Sequence, residues 1–267
     1  MSAAGPILLE RVGAVLRIRL AREEARNAQS RQLLDELDRA FAEAAEDAGV
    51  NVVILAGNGR HFSSGHDLKQ AQAERAGFTV EERWHYESER YLDYCLRIRD
   101  FPKPTIAQVQ GGAIAAGFML ANMCDLIVAA EDAFFSDPVS YMMGAAATEV
   151  LVHPWVMPPR IAKEFLFTGN RMSAQRGYEI GFVNRIVPAA DIDRAAMELA
   201  THISAAPPFA MRLVKRSLNR SEDVRGFKEA ISAHFDIHQL SHVTAEYGAL
   251  ARGGVAASIK KISEKSG

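Results

Sequence analysis

The sequence predicts an α/β protein with a β–α core that extends to about residue 195 and a helical part after it. Two observations favour this fold class: a strand–helix–strand succession near the N-terminus, and helical patterning from Pro158 onward that is interrupted only at 182–187. The composition agrees, since 48% hydrophobic and 24% charged residues over 267 positions are ordinary for a globular protein. A chain of this length can bury a large core.

The first elements favour a parallel sheet. Alternating apolar residues from Val12 to Leu20 predict a strand. Ser30 is a suitable helix N-cap, apolar residues recur after it at helical spacing, and Gly49 closes the predicted helix. The apolar run at 50–56 is typical of a buried strand. A strand–helix–strand unit of this kind joins two parallel strands.

The remaining elements follow the same pattern rules. Segment 69–100 is polar and aromatic and is predicted to be helical until two prolines stop it. The further predicted elements are strands at 105–109, 126–130 and 133–136, a short helix at 115–123, and helices that begin at Ser173, Asp191, Pro207 and Ser221.

Several classes of protein are disfavoured. The net charge of −2 and the pI of about 6.5 provide no basic field for nucleic acid or an anionic membrane. Two cysteines, Cys95 and Cys124, cannot form a disulfide framework. The N-terminal residues do not resemble a signal peptide, and the apolar stretch at 111–130 is interrupted by Asn122 and Asp125. These features predict a soluble, cytoplasmic protein without nucleic-acid or membrane partners.

Common nucleotide and nucleophile motifs are missing. The sequence has no GxGxxG after the first strand, no GxxxxGK[ST] loop and no GxSxG elbow. His234, His238 and His242 recur every four residues on one predicted helix, so three imidazoles on one face could bind zinc. The alternative interpretation, which we favour, is a partly solvated helix face, and we therefore predict no metal.

Two glycine-containing corners carry the strongest chemical signal. The first, 62–69 (FSSGHDLK), follows the predicted strand at 50–56, and the second, 109–117 (VQGGAIAAG), enters the short predicted helix. Backbone N–H groups that are free at strand ends and helix N-termini can stabilise a developing anion. Each corner alone is weak evidence, because glycine also serves tight turns.

Several segments in order give a resemblance to a known family. The segments are 26–28 (RNA), 62–69, 103–117 (KPTIAQVQGGAIAAG), 123–126 (MCDL), 166–173 (LFTGNRMS) and 181–188 (GFVNRIVP). Over about residues 8 to 215 the sequence resembles the crotonase superfamily, the enoyl-CoA hydratase/isomerase family. The resemblance implies a spiral core of ββα turns at 1–195 and a helical trimerisation region at 196–267. It also implies an acyl-CoA thioester substrate, fatty acid metabolism, a homotrimer or dimer of trimers, and no cofactor besides the coenzyme A of the substrate.

The resemblance assigns roles to particular positions. The backbone N–H groups of His66 and Ala116 would hold the thioester oxygen, although the family usually has glycine at the second position. The residues that would line the path of coenzyme A are Arg26, Ala28, Ser64, His66, Asp67, Leu68 and Lys69.

Hydratases of this family have two catalytic glutamates, and the resemblance places neither of them on a glutamate of this sequence. They fall on Met119 and Val139, neither of which can move a proton. Two carboxylates could substitute. Strand alternation places Asp137 on the same side as Val139, the alternative being a turn. Glu149 lies among apolar residues, which predicts either an acid/base role or pairing with an arginine.

These observations leave three hypotheses. The leading one is an acyl-CoA enzyme that works through a thioester enolate, with isomerase, lyase or hydrolase chemistry based on Glu149 or Asp137 in place of two-glutamate hydration. The alternative is a non-catalytic acyl-CoA-binding protein of the same fold. The third is a metal-binding helical interaction module built on the three histidines. A Glu149 carboxylate within reach of the two corners would favour the enzyme.

Overall fold

The computed structural model describes residues 5–75 and 77–253 of the chain. Its strands are β1 (Ile7–Val12), β2 (Val15–Leu20), β3 (Val52–Gly57), β4 (Thr105–Val109), β5 (Gly112–Ile114), β6 (Leu126–Ala130), β7 (Phe134–Ser136), β8 (Met172–Ser173) and β9 (Arg185–Val187). The helices of the first half are α1 (Arg31–Glu46), α2 (Leu68–Arg75), α3 (Val80–Glu87), α4 (Tyr94–Arg99), α5 (Ala116–Asn122) and α6 (Val139–Met143). Those of the second half are α7 (His153–Val156), α8 (Pro159–Thr168), α9 (Ala174–Ile180), α10 (Ile192–Ser204), α11 (Pro208–Val224), α12 (Phe227–Ser241) and α13 (Ala245–Gly253).

Two sheets form the core. The larger has the order β1-β2-β3-β4-β6-β9 and is parallel except for the β1–β2 hairpin, and the smaller has the order β5-β7-β8. Every residue of β3 and β4 is buried, as expected for central strands covered on both faces. The predicted strand–helix–strand unit is confirmed by the parallel pairing of β2 with β3.

The N-terminal strand prediction was wrong at its start. A turn at Gly13, with φ +57°, separates β1 from β2, so the strand predicted from Val12 begins at Val15. Five of the six residues of β1 are exposed, and an edge strand of this kind lacks the apolar alternation that a sequence pattern detects. The segment 7–12 was therefore missed.

Helix α1 begins as its sequence predicts. The Ser30 hydroxyl accepts a hydrogen bond from the Leu33 N–H at 3.2 Å, and the apolar face at helical spacing is buried against the sheet. The helix ends at Glu46 with Asp47 as its C-cap, three residues before the predicted end at Gly49.

The helices after residue 190 follow the predicted starts only in part. The boundary near residue 195 falls inside α10, whose Ile192, Ala196 and Ala200 are buried in the same hydrophobic core as the sheet. The helix start predicted at Ser221 was also wrong, because α11 continues to Val224 and α12 begins at Phe227. The start at Pro207 is confirmed, since this proline is the N-cap of α11.

Helices α11 and α12 display apolar side chains on their outer faces. The exposed residues are Phe209, Leu213, Val214, Leu218 and Val224 of α11, with Ile237, Leu240 and Val243 in and after α12. Lys215 attaches the opposite face of α11 to the core by donating to Asp125 at 2.8 Å. Among the described residues, no helix has both the length and the apolar character required to cross a membrane.

Candidate active site

The two glycine-containing corners meet through backbone hydrogen bonds. The Ser63 N–H donates to the Gly112 carbonyl at 3.1 Å, and the Ile114 N–H donates to the Ser63 carbonyl at 3.0 Å. These bonds form a short parallel bridge between the loop after β3 and the strand β5 that leads into α5. The corner after β3 is therefore fixed against the N-terminus of α5.

Glycine is required where the corners touch. Gly65 has φ +91°, and a Cβ at this position would lie 2.8 Å from the Ile114 carbonyl oxygen and 3.3 Å from the Ala116 nitrogen. Gly117 likewise leaves no room for a Cβ against the Ser63 carbonyl. Any side chain would force the corners apart, so both glycines are needed for close approach, and Gly65 is needed for its backbone conformation as well.

Two backbone N–H groups at this junction have no acceptor within the described chain. One is the N–H of His66. The residues on both sides of it bond to Gln29: the Gly65 carbonyl accepts from the Gln29 N–H, and the Asp67 N–H donates to the Gln29 carbonyl. The other is the N–H of Ala116, the first residue of α5, where helical geometry provides no acceptor. Ala115 before it has the unusual angles φ 50° and ψ −116°, a strain of the kind found at functional sites.

Both residues line one cavity of about 320 Å³. Its wall also includes Glu149, Val139 and the two methionines Met142 and Met143 of α6. The cavity thus combines two donor groups without an acceptor, an apolar and adaptable surface, and a carboxylate.

Glu149 lines the cavity with its carboxylate between two imidazole rings. The residue is 5% exposed, and its Oε2 lies 3.2 Å from His66 Nε2 while its Oε1 lies 3.5 Å from His238 Nε2. Burial raises the pKa of Glu149, but the His66 and His238 imidazoles lower it by more, so this pKa lies well below its usual range. The carboxylate is therefore ionised, and its partners are histidines, not the arginine that the sequence suggested as one possibility.

The ring of His66 is held in place by stacking. It packs on the ring of Tyr91 with a centroid distance of 3.7 Å and an interplanar angle of 19°. Tyr91 belongs to the π-helical segment Ser88–Asp93 between α3 and α4, and such segments are frequent at functional sites. This stacking fixes the imidazole next to Glu149.

The prediction that Asp137 faces the same side as Val139 was wrong. Strand β7 ends at Ser136 and α6 begins at Val139, so strand alternation does not extend over these residues. Asp137 is fully buried and does not line the cavity, whereas Val139 does. The Asp137 carboxylate accepts hydrogen bonds from the Thr148 N–H and O–H at 3.2 Å each. It thereby anchors the residue before Glu149.

The two positions that the resemblance assigns to the hydratase glutamates differ in their surroundings. Val139 lines the cavity, whereas Met119 is buried in α5 within the hydrophobic core and lies outside the cavity wall. Neither side chain can donate or accept a proton.

The predicted coenzyme A residues divide into two groups. Arg26, Ser64, His66 and Leu68 line the cavity. Three others, Ala28, Asp67 and Lys69, lie outside its wall. Asp67 accepts from the Arg22 guanidinium at 2.9 Å and from the Gln70 N–H at 3.1 Å, so its carboxylate fixes the loop and the start of α2.

Comparison with known proteins shows the family of this chain. Residues 10–249 match the sequence profile of the family described as Enoyl-CoA hydratase/isomerase. The chain belongs to the enoyl-CoA hydratase/isomerase family. A curated relative is EchA13 of Mycobacterium tuberculosis, which is named provisionally as an enoyl-CoA hydratase. It is 40% identical over 262 residues, which cover 90% of this chain and 80% of that protein.

Solved structures of the enoyl-CoA hydratase/isomerase family share the fold. A probable enoyl-CoA hydratase from Mycobacterium smegmatis superimposes with a TM-score of 0.84 at 47% identity, covering 88% of this chain and 94% of that one. An enoyl-CoA hydratase/isomerase from Xanthobacter autotrophicus Py2 gives a TM-score of 0.89 at 37% identity, covering 97% of both chains. Family membership confirms the crotonase-type fold and supports an enzyme that acts on acyl-CoA, while the exact reaction stays open.

The three histidines His234 and His238 of α12 and His242, which directly follows it, do not act as one set. His234 Nε2 lies 2.8 Å from the Thr148 carbonyl oxygen, so this ring supports the loop before Glu149. His238 and His242 lie instead near Glu87, with potential ligand atoms of the three residues within 4.8 Å of one another. Gln239 donates to Glu87 Oε2 at 2.7 Å and Arg75 donates to Glu87 Oε1. The absence of a metal stays a prediction.

Sequence reasoning missed part of the cavity. Arg75, Arg83 and Glu87, from the polar segment predicted only as helix, line it together with His242. Their sequence neighbourhood is rich in charged residues, so no local pattern separates them from residues on a solvated helix face. Only tertiary contacts show their position: Arg75 of α2 donates to Glu87 of α3, and Gln239 of α12 donates to the same glutamate.

Proposed function

We propose that this protein binds an acyl-CoA thioester with its carbonyl oxygen between the N–H groups of His66 and Ala116, and that Glu149 moves a proton between carbons of the acyl group. The reaction class is isomerase- or lyase-type chemistry through a thioester enolate. The observation that supports it most is the position of the Glu149 carboxylate, which lines the same cavity as the two donor groups and lies 3.2 Å from the His66 ring.

The oxyanion corner would provide the electrostatic part of catalysis. When a base removes a proton from the carbon next to the thioester carbonyl, the electron pair of the broken C–H bond moves into the enolate, with negative charge on oxygen. Two preorganised N–H donors stabilise that charge more than they stabilise the neutral carbonyl. This difference lowers the barrier to forming the enolate.

Glu149 would provide the proton transfer. In an isomerisation the ionised carboxylate accepts the proton from one carbon and returns it to another, so the enzyme is unchanged at the end of the cycle. A lowered pKa keeps this base deprotonated at neutral pH. The stacked His66 ring and His238 hold the carboxylate oxygens and stabilise its charge.

The same residues explain why hydration by two glutamates is not our proposal. Addition of water across the double bond requires one group to activate the water and another to protonate carbon. The resemblance places Met119 and Val139 at the positions of the two hydratase glutamates, although the names of the relatives favour hydratases. One carboxylate can shuttle a proton but cannot fill both roles at once.

Turnover of a panel of CoA thioesters tests the reaction class. We expect slow hydration of crotonyl-CoA and faster double-bond shift or lyase turnover of at least one enoyl- or hydroxyacyl-CoA, measured by chromatography with binding measured in parallel. Brisk hydration of crotonyl-CoA would contradict the exclusion of hydratase chemistry. Binding of thioesters without any turnover would support the non-catalytic acyl-CoA-binding alternative.

The coenzyme A portion would enter past the corner after β3. Arg26, Ser64 and Leu68 line that part of the cavity wall, and Arg26 offers a guanidinium for phosphate oxygens. Ala28, Asp67 and Lys69 are proposed as outer contacts along the same path. Beyond the coenzyme A of the thioester, the proposed chemistry needs no cofactor.

We expect the protein to assemble as a homotrimer or a dimer of trimers through its C-terminal helices. Phe209 of α11 is 71% exposed and Val224 is 77% exposed, so isolated chains would leave an apolar face in water. Burial of such a face in a symmetric interface is favourable. Sedimentation that shows a monomer at micromolar concentration would contradict this assembly.

A further inference from the structure

One part of the cavity wall carries charges that the proposed proton transfer does not use. This charged wall consists of Arg75, Arg83, Glu87, His238 and His242. Glu87 is 1% exposed, and the side chains of Arg75 and Arg83 are 12% and 22% exposed. A cavity that receives a plain alkyl chain gains most of its binding free energy from apolar surface. Buried guanidinium groups in such a wall therefore require another explanation.

The charges of this wall are not balanced locally. Arg75 donates to Glu87 Oε1, and the Arg83 Nη1 lies 3.6 Å from the same oxygen, so two guanidinium groups share one carboxylate. Glu149, the other carboxylate of the cavity, has its own partners in His66 and His238. Burial lowers the pKa of His238, but the adjacent Glu149 and Glu87 carboxylates raise it above its usual value. The wall therefore retains a surplus of positive charge.

The guanidinium groups also have unused donors. Among the side chains of residues 5–75 and 77–250, Arg83 finds no hydrogen-bond acceptor. Arg75 uses its Nε for the Ala71 carbonyl and its Nη1 for Glu87, and its Nη2 has no acceptor among the same residues. A guanidinium presents paired N–H groups that match the two oxygens of a carboxylate. Free paired donors on a largely buried wall are therefore suited to an anionic, two-oxygen group.

A metal ion is a weaker explanation of the same wall. Glu87, His238 and His242 could supply three ligand atoms, and burial lowers the pKa of His242 to about 3, which leaves this ring neutral. However, both Glu87 oxygens already accept hydrogen bonds, from Arg75 and Gln239, and two guanidinium groups next to the site repel a cation. An anion meets attraction at the same place.

We propose that the acyl group bound by this protein ends in a carboxylate, and that Arg83, together with Arg75, binds that carboxylate at the charged wall. The substrate class would be CoA thioesters of short dicarboxylic acids, because a cavity of about 320 Å³ is at the small end of ligand pockets. This inference rests on the proposed function, since it assigns the far end of the acyl group whose thioester lies at His66 and Ala116.

Equilibrium binding of saturated thioesters tests the inference. These ligands have no double bond that an isomerase could shift, so binding is measured without turnover. Succinyl-, glutaryl- and adipyl-CoA are compared with butyryl-, valeryl- and hexanoyl-CoA, which have the same carbon counts but end in methyl. We expect at least one carboxylate-ended ligand to bind about tenfold more tightly than its methyl-ended partner, since charge-assisted hydrogen bonds have this magnitude. Equal or weaker binding of every carboxylate-ended ligand would overturn the inference.

Substitution of Arg83 tests whether this residue causes the preference for carboxylate-ended ligands. Arg83→Met is expected to abolish the preference while the affinity for the methyl-ended ligands changes less than about twofold, and Arg83→Lys to keep part of it. Arg97→Met is the matched control, because this arginine is half exposed, pairs with Asp38 at 2.7 Å and does not line the cavity. A preference that survives in Arg83→Met would refute the role of this residue.

The two proposals fail in different ways. If methyl-ended thioesters bind and carboxylate-ended ones do not bind more tightly, only the substrate class is refuted. If no thioester of either series binds the folded protein, the acyl-CoA site itself is refuted, and the inference about its far end with it.

Discussion

Replacing Glu149 by glutamine is expected to abolish isomerase-type turnover while leaving thioester binding intact. Glutamine keeps the shape of the side chain and can still contact His66 and His238, but it cannot accept a proton from carbon. General bases contribute about 10²- to 10⁴-fold to rate, so kcat should fall by at least about 100-fold. The affinity for a saturated acyl-CoA should change little, because the carbonyl contacts come from the backbone of His66 and Ala116.

The interpretation of this variant needs a folding control and a surface control. Near-ultraviolet circular dichroism reports whether the cavity region retains its packing after the charge is removed from between two imidazoles. Glu164→Gln on the exposed face of α8 removes a similar carboxylate that does not line the cavity and should leave kcat unchanged. A folded Glu149→Gln protein with normal turnover would show that Glu149 is not the base.

The sequence predicted the corners of the site because their information is local. Strand β3, the glycine-containing loop after it and the helix start at Ala116 each depend on a few consecutive residues. Their meeting follows from the parallel pairing of β3 with β4, because both strands end at the same edge of the larger sheet and the second corner begins where β4 ends. The roles of the His66 and Ala116 N–H groups do not follow from these local patterns: the resemblance to the family implies them, and they stay a proposal.

The environment of Glu149 could not be predicted in the same way. Its partners His66 and His238 lie 83 residues before it and 89 residues after it, so only tertiary packing brings them together. The sequence indicated that a carboxylate among apolar residues needs a partner, but not which residue that would be. The helical spacing of the histidines placed them on one face, yet α12 turns His234 to a backbone carbonyl and His238 to two carboxylates.

Asp137 shows how a correct local rule can be applied too far. Alternation holds within a strand, but β7 is only three residues long and ends before this residue. Asp137 then lies 3.2 Å from the buried His153 Nε2 and holds Thr148, so it acts on Glu149 only through the loop. Strand ends are difficult to locate from sequence. Here Ser136 lines the cavity, whereas Asp137, the next residue, is fully buried outside its wall.

Replacing Ala116 by proline is expected to lower kcat/KM by about 100- to 1000-fold. Proline lacks the N–H that we propose as an oxyanion donor, and loss of one such donor has this magnitude in other enzymes. The first residue of a helix tolerates proline, because the N–H at that position is not used within the helix. Ala116→Gly keeps the donor and restores the residue usual in the family, so its activity should stay within a fewfold of the native protein.

The comparison of these two variants separates the loss of a donor from a change of shape. A proline at position 116 restricts the backbone angles of Ala115, which are already unusual. Circular dichroism must therefore first show that Ala116→Pro is folded. If it is not, the native protein still provides the test: a carbonyl bound by two N–H donors is polarised, and its infrared stretching frequency should fall when an acyl-CoA binds. An unshifted carbonyl frequency, or a folded Ala116→Pro protein with native kcat/KM, would show that the thioester oxygen does not lie between His66 and Ala116.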